Sequence, residues 1–519
     1  MKLPKFKNET YTDFSKPVNR KKQGEALATV RAGIGKEYPI VIGSEKITTT
    51  DKLLSYNPSK PAEVVGVFQK GTTDLANKAM EAALRKFEEW RIVPYQKRAD
   101  YLLKAATLMR KKRFELNAVM IVEVGKSWVE ADADTAEAID FLEFYAREML
   151  RYGVEHPVVK NQGEKGKLVY VPLGVGIVIP PWNFPLAILA GMSSAAIVAG
   201  NTIVLKPSSD SPLIGWKFVE IMEEAGLPAG VLNFVTGPGG DVGDTLVTHP
   251  KTRFISFTGS KEVGIHINEV AARVQPGQIW LKRVVAEMGG KDSIIIDEGV
   301  DLEDAAKGVI ASAFGFQGQK CSACSRAIVH EKVYGSFVEI LAAKANALAV
   351  GNPAEPQVSM GPVINRPAFE SILAYTQKGV SEGGRLVAGG TRVGDEGWFI
   401  RPTVIADVKP KDTIAQEEIF GPVLAVIKAG NYNEAMAIAN NTEYGLTGAV
   451  YTKSKKHREQ AEKEFFVGNL YLNRKCTGAL VGVHPFGGFN MSGTDSKAGG
   501  TDYLLLFLQA KSIAEKIKK

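Results

Sequence analysis

Strand-like and helix-like patterns alternate regularly through the middle of this 519-residue chain. From Gly174 onwards, helical patterns follow a series of short apolar runs, which are Gly176–Ile179, Thr202–Leu205, Val231–Val235 and Phe254–Phe257. Units of this length are typical of a doubly wound parallel sheet with helices on both faces. A second α/β series begins near Ser293 and extends to about Thr477. We therefore predict an α/β fold whose ligands bind at the carboxyl ends of the strands.

The composition is that of an ordinary globular protein, with 45% hydrophobic residues, 23% charged residues and a net charge of +7. No nucleic-acid-binding motif is visible, so we expect no nucleic-acid partner. Three cysteines cannot form a disulfide framework in this chain, and no signal peptide is visible, which favours a reducing, cytoplasmic compartment. The stretch 168–205 lacks charge, but prolines interrupt it, so we expect buried strands and a helix rather than a membrane span.

One cysteine is a candidate nucleophile. Cys321 lies in the segment FGFQGQKCSACSR (Phe314–Arg326), after a glycine-rich approach and a helix predicted to begin at Asp301. A thiolate is a strong nucleophile that readily forms covalent intermediates. Taken alone, this segment fits equally well with Cys321 and Cys324 as small core residues. The six histidines are not clustered, so we expect no metal, and a redox dithiol is less favoured than a single nucleophile.

Four loops at predicted strand ends carry further candidate residues. In PPWNFP (Pro180–Pro185), Asn183 is a rigid amide donor suited to an oxyanion, or it fixes its own turn. Lys206 could hold a hydroxyl or phosphate, or be a solvated lysine. FTGS (Phe257–Ser260) can place a pyrophosphate at the start of the next helix, although no ordinary dinucleotide fingerprint is present. In EMGGK, Glu287 could be a general base once desolvation raises its pKa, or a surface glutamate.

Together these segments resemble the aldehyde dehydrogenase family. PWNFP, KPS, FTGS, EMGGK, FGFQGQKC and EEIFGPV (Glu417–Val423) occur in the family's order and cover nearly the whole chain. The segments around Cys321 and at Asn473–Gly500 are similar to the single-function members that oxidise L-glutamate γ-semialdehyde to L-glutamate in proline and arginine breakdown. The alternative is another semialdehyde or general aldehyde dehydrogenase. A CoA-acylating relative would not need Glu287 as a base.

The resemblance implies a role for each candidate residue. Cys321 attacks the aldehyde, Asn183 and the Cys321 backbone N–H hold the oxyanion, and Glu287 activates the water that hydrolyses the thioester. The implied NAD-binding residues are Pro181, Trp182, Lys206, Ser208, Ser209, Gly239, Gly243, Gly259, Ser260, Glu418 and Phe420. The implied substrate-binding residues are Phe184, Ser322, Gly478, Ala479 and Phe486. Of these, Ser322, Gly478 and Ala479 hold the α-carboxylate, and the two phenylalanines flank the aliphatic stem.

One position departs from the family pattern. Many members carry a glutamate where this chain has Ser209, and that glutamate binds the adenosine 2′-hydroxyl. A serine does not repel a 2′-phosphate, so we expect NAD as the main cofactor with some tolerance of NADP.

The resemblance also implies a domain organisation. An N-terminal arm spans 1–36, the NAD-binding domain 37–152 and 174–286, the catalytic domain 287–480, and a small β element for oligomerisation 153–173 and 496–519. We expect a homodimer or higher homo-oligomer formed through the C-terminal strand, because the apolar tail Asp502–Ala510 has no obvious partner within the C-terminal series.

Overall fold

The computed structural model describes residues 3–517, which form a mixed α/β structure. The α-helices are α1 (Pro17–Ala32), α2 (Thr73–Trp90), α3 (Tyr95–Lys111), α4 (Arg113–Val124), α5 (Trp128–Tyr152), α6 (Ala187–Val198), α7 (Pro212–Glu224), α8 (Asp244–Thr248), α9 (Lys261–Ala272), α10 (Leu302–Phe314), α11 (Tyr334–Asn346), α12 (Arg366–Ser381), α13 (Thr413–Gln416), α14 (Tyr432–Asn440) and α15 (Lys455–Glu464).

The strands are β1 (Lys36–Tyr38), β2 (Ile40–Ile42), β3 (Glu45–Ile47), β4 (Lys52–Asn57), β5 (Lys60–Gln69), β6 (Glu164–Pro172), β7 (Val175–Ile179), β8 (Thr202–Leu205), β9 (Leu232–Phe234), β10 (Phe254–Thr258), β11 (Arg283–Glu287), β12 (Asp292–Ile296), β13 (Cys324–His330), β14 (Arg385–Ala388), β15 (Thr403–Ala406), β16 (Val423–Ala429), β17 (Tyr444–Gly445), β18 (Thr447–Tyr451), β19 (Asn469–Leu472), β20 (Phe489–Asn490) and β21 (Leu508–Lys516). Short 3-10 helices span Gly315–Gly318, Glu331–Val333 and Tyr503–Phe507, and a π-helical turn spans Gly239–Gly243.

The first sheet has seven strands in the order β11-β10-β7-β8-β9-β2-β3. The strands from β11 to β9 run parallel, and β2 and β3 extend the sheet in antiparallel fashion. Apolar cores cover both faces, with α3 to α7 on one side and α2, α8 and α9 on the other. The predicted doubly wound parallel sheet is therefore confirmed, and β8 has the bounds expected from the sequence.

The second sheet also has seven strands, in the order β14-β15-β16-β13-β12-β18-β19. All neighbouring strands run parallel except β14, which is antiparallel to β15. Helices α10 and α11 pack on one face and α12 and α14 on the other. The predicted second α/β series is therefore observed, and its helix α10 leads to the loop that carries Cys321.

The uncharged stretch 168–205 forms the end of β6, all of β7, helix α6 and strand β8. Helix α6 is buried along its length between the sheet and α5, which explains its lack of a polar face. Within residues 3–517, no helix combines the length and apolar character required for a membrane crossing.

The C-terminal tail differs from its prediction. Tyr503–Phe507 is a short helical turn with Tyr503, Leu504 and Phe507 buried, rather than extended chain. Strand β21 pairs antiparallel with β6 of the same chain along its whole length. The sequence pattern missed this partner because β6 is remote in the chain, and pairing between distant strands leaves no local signal. An isolated antiparallel bridge joins His156 to Leu168 of β6.

The N-terminal segments show smaller differences. The predicted arm contains helix α1, whose Leu27 is buried and which packs on α4. Helix α2 is capped by Thr72, whose hydroxyl accepts a hydrogen bond from Leu75 N at 3.3 Å. Helices α3 and α4 are separated by the single residue Lys112, whose φ of −95° and ψ of 10° lie outside the helical range.

Candidate active site

The candidate site lies between the two sheets. Strands β7, β8, β10 and β11 of the first sheet end at this crevice, and strands β12 and β13 of the second sheet begin there. A side chain at Gly290 would meet the Cys321 carbonyl oxygen at 2.2 Å, which shows how closely the segments before β12 and β13 approach each other. The predicted location at carboxyl strand ends therefore describes the first sheet, whereas Cys321 comes from the loop before the amino end of β13.

A strained turn delivers Cys321 to the crevice. After α10 ends, Phe316 and Gln317 have φ values of 47° and 57°. This left-handed conformation costs non-glycine residues about 1–3 kcal/mol and persists only where the surroundings enforce it. The Gln317 side-chain amide donates hydrogen bonds to the carbonyl oxygens of Gly125 at 3.0 Å and Pro362 at 2.8 Å. These bonds hold the turn, and Cys321 is left half-buried.

The surroundings of Cys321 favour a protonated thiol. Burial raises the pKa of Cys321, and the carboxylates of Asp292, Glu418 and Glu287 raise it further. Asp292 itself is buried, and the Thr447 backbone N–H donates to its Oδ1 at 2.7 Å. A thiol in this setting reacts as a nucleophile only when a base removes its proton or a cation approaches.

Asn183 lies beside the same turn. Its side chain is 4% exposed, and its Nδ2 donates to the Gln319 carbonyl oxygen at 3.1 Å. Just beyond it, Asp134 Oδ1 accepts a hydrogen bond from Ala187 N at 2.6 Å and fixes the start of α6. Because an asparagine amide carries two N–H groups, one remains for an oxyanion formed at Cys321.

Glu287 is the last residue of β11, and its carboxylate is held on both oxygens. Ser496 Oγ donates to Oε1, and Gly488 N donates to Oε2 at 3.4 Å. Gly259 N also donates to the Glu287 carbonyl oxygen at 3.1 Å. Burial raises the pKa of Glu287 to about 8, although both side-chain contacts and Lys497 oppose the shift. A pKa near neutrality suits a general base.

The candidate phosphate-binding residues surround open space. Lys206 follows β8 directly, is 6% exposed, and has its pKa lowered to about 8 by burial. A side chain at Gly243 would meet Lys206 Cε at 3.8 Å, and one at Gly239 would meet no atom within 4 Å. Ser260 caps the 12-residue helix α9. A buried amine, an open glycine turn and a helix N-terminus fit the pyrophosphate of a dinucleotide.

The neighbouring serines differ in exposure. Ser208 is half-buried, and its Oγ accepts a hydrogen bond from Asp210 N at 3.3 Å. Ser209 is exposed and lines a cavity of about 260 Å³ whose wall also includes Arg366. Ser209 is therefore open to a ligand, whereas Ser208 helps to shape the turn.

Glu418 and two aromatic rings form a further group of candidate residues. Glu418 Oε1 accepts a hydrogen bond from Gly290 N at 2.9 Å, and burial raises the pKa of Glu418 to about 7. Phe420 has a φ of 55°, and its ring packs edge to face on Trp182 with the centroids 5.5 Å apart. Pro181, directly before Trp182, is half-buried. A carboxylate beside apolar rings fits a ribose with its attached base.

The candidate carboxylate-binding residues come from two distant segments. Ser322 is 7% exposed, and its carbonyl oxygen accepts from Cys476 Sγ at 3.5 Å across 154 residues of sequence. Gly478 has a φ of 80°, which favours glycine, and Arg474 Nη2 donates to its carbonyl oxygen at 3.3 Å. The structure thus joins Ser322 to the loop that carries Gly478 and Ala479.

The two candidate aromatic residues lie on different segments. Phe184 is half-buried, with Lys126 Nζ 4.2 Å and Lys320 Nζ 5.9 Å from its ring centroid. Phe486 is also half-buried, and its backbone pairs with Ala498 through bonds of 2.9 and 2.7 Å. Their joint contact with one substrate stays a prediction.

Sequence reasoning missed several residues that the structure places around this site. Lys320 directly precedes Cys321 and pairs with Glu130 at 2.7 Å, so its position in the sequence could have suggested a role. Asp292, close behind EMGGK, could have been noticed in the same way. Ser496 lies 209 residues from Glu287, and nothing local to it indicates the contact.

The site and the fold together define the class of protein: the chain belongs to the aldehyde dehydrogenase family, whose model matches residues 46–513. It is similar to the 1-pyrroline-5-carboxylate dehydrogenase of Bacillus cytotoxicus, with 55% identity over 510 residues covering 98% of this chain and 99% of the relative.

Comparison with solved structures gives the same family. A point mutant of Thermus thermophilus 1-pyrroline-5-carboxylate dehydrogenase matches with a TM-score of 0.98 and 51% identity, covering 99% of this chain and 100% of the other. A Thermus 1-pyrroline-5-carboxylate dehydrogenase with bound NAD matches with a TM-score of 0.97 and 50% identity over the same shares. The predicted family is therefore confirmed.

Proposed function

We propose that this enzyme oxidises L-glutamate γ-semialdehyde, the open form of 1-pyrroline-5-carboxylate, to L-glutamate with NAD in proline and arginine catabolism. The observation that carries the proposal is the contact between the Ser322 carbonyl oxygen and Cys476 Sγ, which brings Ser322, the residue after Cys321, close to the segment that continues to Gly478 and Ala479. This arrangement offers a hydroxyl and backbone N–H groups to a carboxylate near the nucleophile. Full-length similarity to enzymes named for this substrate supports it.

The chemistry follows from the positions of three residues. Cys321 Sγ passes its proton to solvent and adds to the aldehyde carbon, and the Asn183 amide with the Cys321 N–H stabilises the oxyanion. Bound NAD supplies the hydride acceptor. The carbonyl re-forms as a thioester on Cys321. Glu287 then accepts a proton from water as the water attacks the thioester, and the thiolate leaves as the acid is released.

A second set of residues is assigned to cofactor binding. We assign the pyrophosphate to the glycine turn at Gly239–Gly243 and the N-terminus of α9, with Lys206 at the adenosine ribose and Glu418 at the nicotinamide ribose. Ser209 carries no charge and lines a cavity that also includes Arg366 and Asp210, and the absence of a glutamate at Ser209 supports tolerance of a 2′-phosphate and therefore of NADP.

A substrate panel tests the specificity. The Ser322→Ala variant should lose roughly 10- to 100-fold in kcat/KM for glutamate semialdehyde, because a hydrogen bond to a charged group is worth about 1.5–3 kcal/mol. Propanal has no carboxylate, so its kcat/KM should change much less. Steady-state kinetics with wild type and variant measure both. Equal losses on the two aldehydes, or a wild-type preference for succinic semialdehyde, would contradict the proposed substrate.

The role of Glu287 has a separate test. The Glu287→Gln variant should produce one burst of reduced nicotinamide and then turn over roughly 10²- to 10⁴-fold more slowly than wild type, because the thioester forms but is not hydrolysed. Stopped-flow absorbance measures both phases. If the variant lacked the burst while still binding NAD, or kept a normal steady-state rate, Glu287 would not be the deacylating base.

We further propose that the chain forms a homodimer or higher homo-oligomer through β21, since the two-stranded sheet of β6 and β21 leaves strand edges available for pairing. The domain division given above is retained as a proposal, with Glu287 at the junction between the two α/β domains. A cytoplasmic location agrees with the free cysteines at 321, 324 and 476.

A further inference from the structure

The Glu287 carboxylate is enclosed by a loop from the far end of the chain. The backbone of β11 is joined to this loop at two points: Met288 N donates to the Ser492 carbonyl oxygen at 2.8 Å, and Thr494 N donates to Ala286 O at 2.9 Å. The loop then turns so that Ser496 Oγ donates to Glu287 Oε1. Backbone contacts therefore set the register that brings the hydroxyl to the carboxylate.

Glycines make this close approach possible. A side chain at Gly487 would meet Glu287 Oε1 at 3.0 Å and the Ser496 carbonyl oxygen at 1.7 Å. A side chain at Gly493 would meet both Glu287 oxygens at 3.2 Å. The carboxylate therefore occupies space that a side chain at either position would crowd. The polar contacts within this cradle are the Ser496 hydroxyl and the more distant Gly488 N–H.

We propose that Ser496 is a positioning residue for the deacylation step, whose hydroxyl anchors the ionised Glu287 carboxylate in the glycine cradle. The inference rests on the proposed role of Glu287 as the base and extends it to a residue outside the substrate and cofactor contacts. A hydroxyl that donates to a carboxylate favours the charged form, which is the form that accepts a proton from water.

Other charges also face Glu287. Lys497 lowers its pKa and Asp495 raises it, and Glu287 in turn raises the pKa values of Cys321 and Tyr503. Lys497 Nζ donates to the Gly468 carbonyl oxygen at 2.8 Å and to that of Gly487, so backbone oxygens hold the amine. The Ser496 hydroxyl is therefore the side-chain donor that directly touches the carboxylate. Removal of this hydroxyl should raise the pKa of Glu287, because the hydrogen bond from Ser496 lowers that pKa and burial raises it.

The Ser496→Ala variant tests this. We expect the pH midpoint of the deacylation rate to rise by about one unit, so that steady-state turnover below the midpoint falls about tenfold, as one pKa unit corresponds to a tenfold change in ionised fraction. The first-turnover burst should keep the wild-type pH midpoint. Ser496→Thr, which retains the hydroxyl, should restore the steady-state midpoint. Stopped-flow and steady-state rates across pH measure both phases.

Thr494→Val is the matched control. Thr494 Oγ1 accepts from Ala286 N at 2.9 Å, so this change disturbs the same loop without touching the carboxylate. Its midpoint should equal that of wild type. If Ser496→Ala kept the wild-type midpoint, or if Thr494→Val shifted it equally, Ser496 would have a structural role only. If Glu287→Gln turned over normally, the proposed base itself would fail, and the two failures are thus distinguishable.

Discussion

Replacing Cys321 by alanine should abolish aldehyde oxidation, with a loss of roughly 10⁴-fold or more, because removal of a covalent nucleophile leaves no group to form the thioester. The Cys321 side chain is half-buried at the crevice. Binding of NAD should persist, because the residues assigned to it lie on the first sheet and at Glu418. Turnover and NAD titration measure the two properties.

A neighbouring thiol provides the control. Cys324 is 1% exposed and lies within the apolar core of the second sheet. Cys324→Ala should keep substantial turnover while lowering stability modestly, because it deletes a small buried group. Steady-state activity of Cys321→Ala within tenfold of wild type would remove Cys321 as the nucleophile. Loss of activity in Cys324→Ala alone would assign the chemistry to the other thiol.

Replacing Lys126 by methionine should lower the free energy of unfolding by about 3–5 kcal/mol, which is the usual cost of leaving one partner of a buried ion pair alone. Lys126 Nζ lies 2.7 Å from Asp134 Oδ2, and both side chains are 0% exposed. The amine also lies 4.2 Å from the Phe184 ring centroid and 4.5 Å from that of Phe316. Urea denaturation followed by fluorescence measures the change.

The destabilisation caused by Lys126→Met should depend on pH. Burial raises the pKa of Asp134, opposed by Lys126. Without Lys126, that pKa should rise further above its unfolded value, so the penalty is present at neutral pH and shrinks as the pH falls through the folded pKa. The destabilisation should therefore be smaller at acidic pH than at alkaline pH.

Two further variants separate the ion pair from other effects. In Lys126→Met/Asp134→Asn both charges are gone, and an asparagine oxygen still accepts from Ala187 N, so part of the lost stability should return. Lys21→Met removes an exposed lysine 3.9 Å from Glu25 and should change stability by less than about 0.5 kcal/mol. A loss below about 1 kcal/mol for Lys126→Met would show that the pair contributes little.

The fold was predictable from the sequence where the hydrophobic pattern is local. Strand β8 and helix α10 follow directly from apolar periodicity, and the alternation of such units predicts a parallel sheet. The pairing of β21 with β6 was not predictable from the hydrophobic pattern, because the two strands are far apart in the chain; only the family resemblance placed both segments in one β element.

The candidate site was also predictable only in part from the sequence. Cys321, Asn183 and Glu287 each lie in a segment whose residue types suggest chemistry, so the sequence alone could nominate them. It could not decide between catalytic and core roles, because that depends on burial and neighbours. The structure shows the burial and the neighbours of these side chains. Burial raises the pKa of Glu287 to about 8, and the Asn183 amide donates a hydrogen bond to the turn that precedes Cys321.

The sequence by itself determined the α/β class, the order of the motifs and hence the family, since these are properties of local pattern. Only the tertiary structure decided which residues meet. It joined Ser322 to the Gly478–Ala479 loop, enclosed Glu287 against Ser496, and buried Lys126 beneath Phe184. The physical reason is that electrostatics and hydrogen bonding act through space over a few ångströms, whereas separation along the chain places no limit on which side chains come within that range.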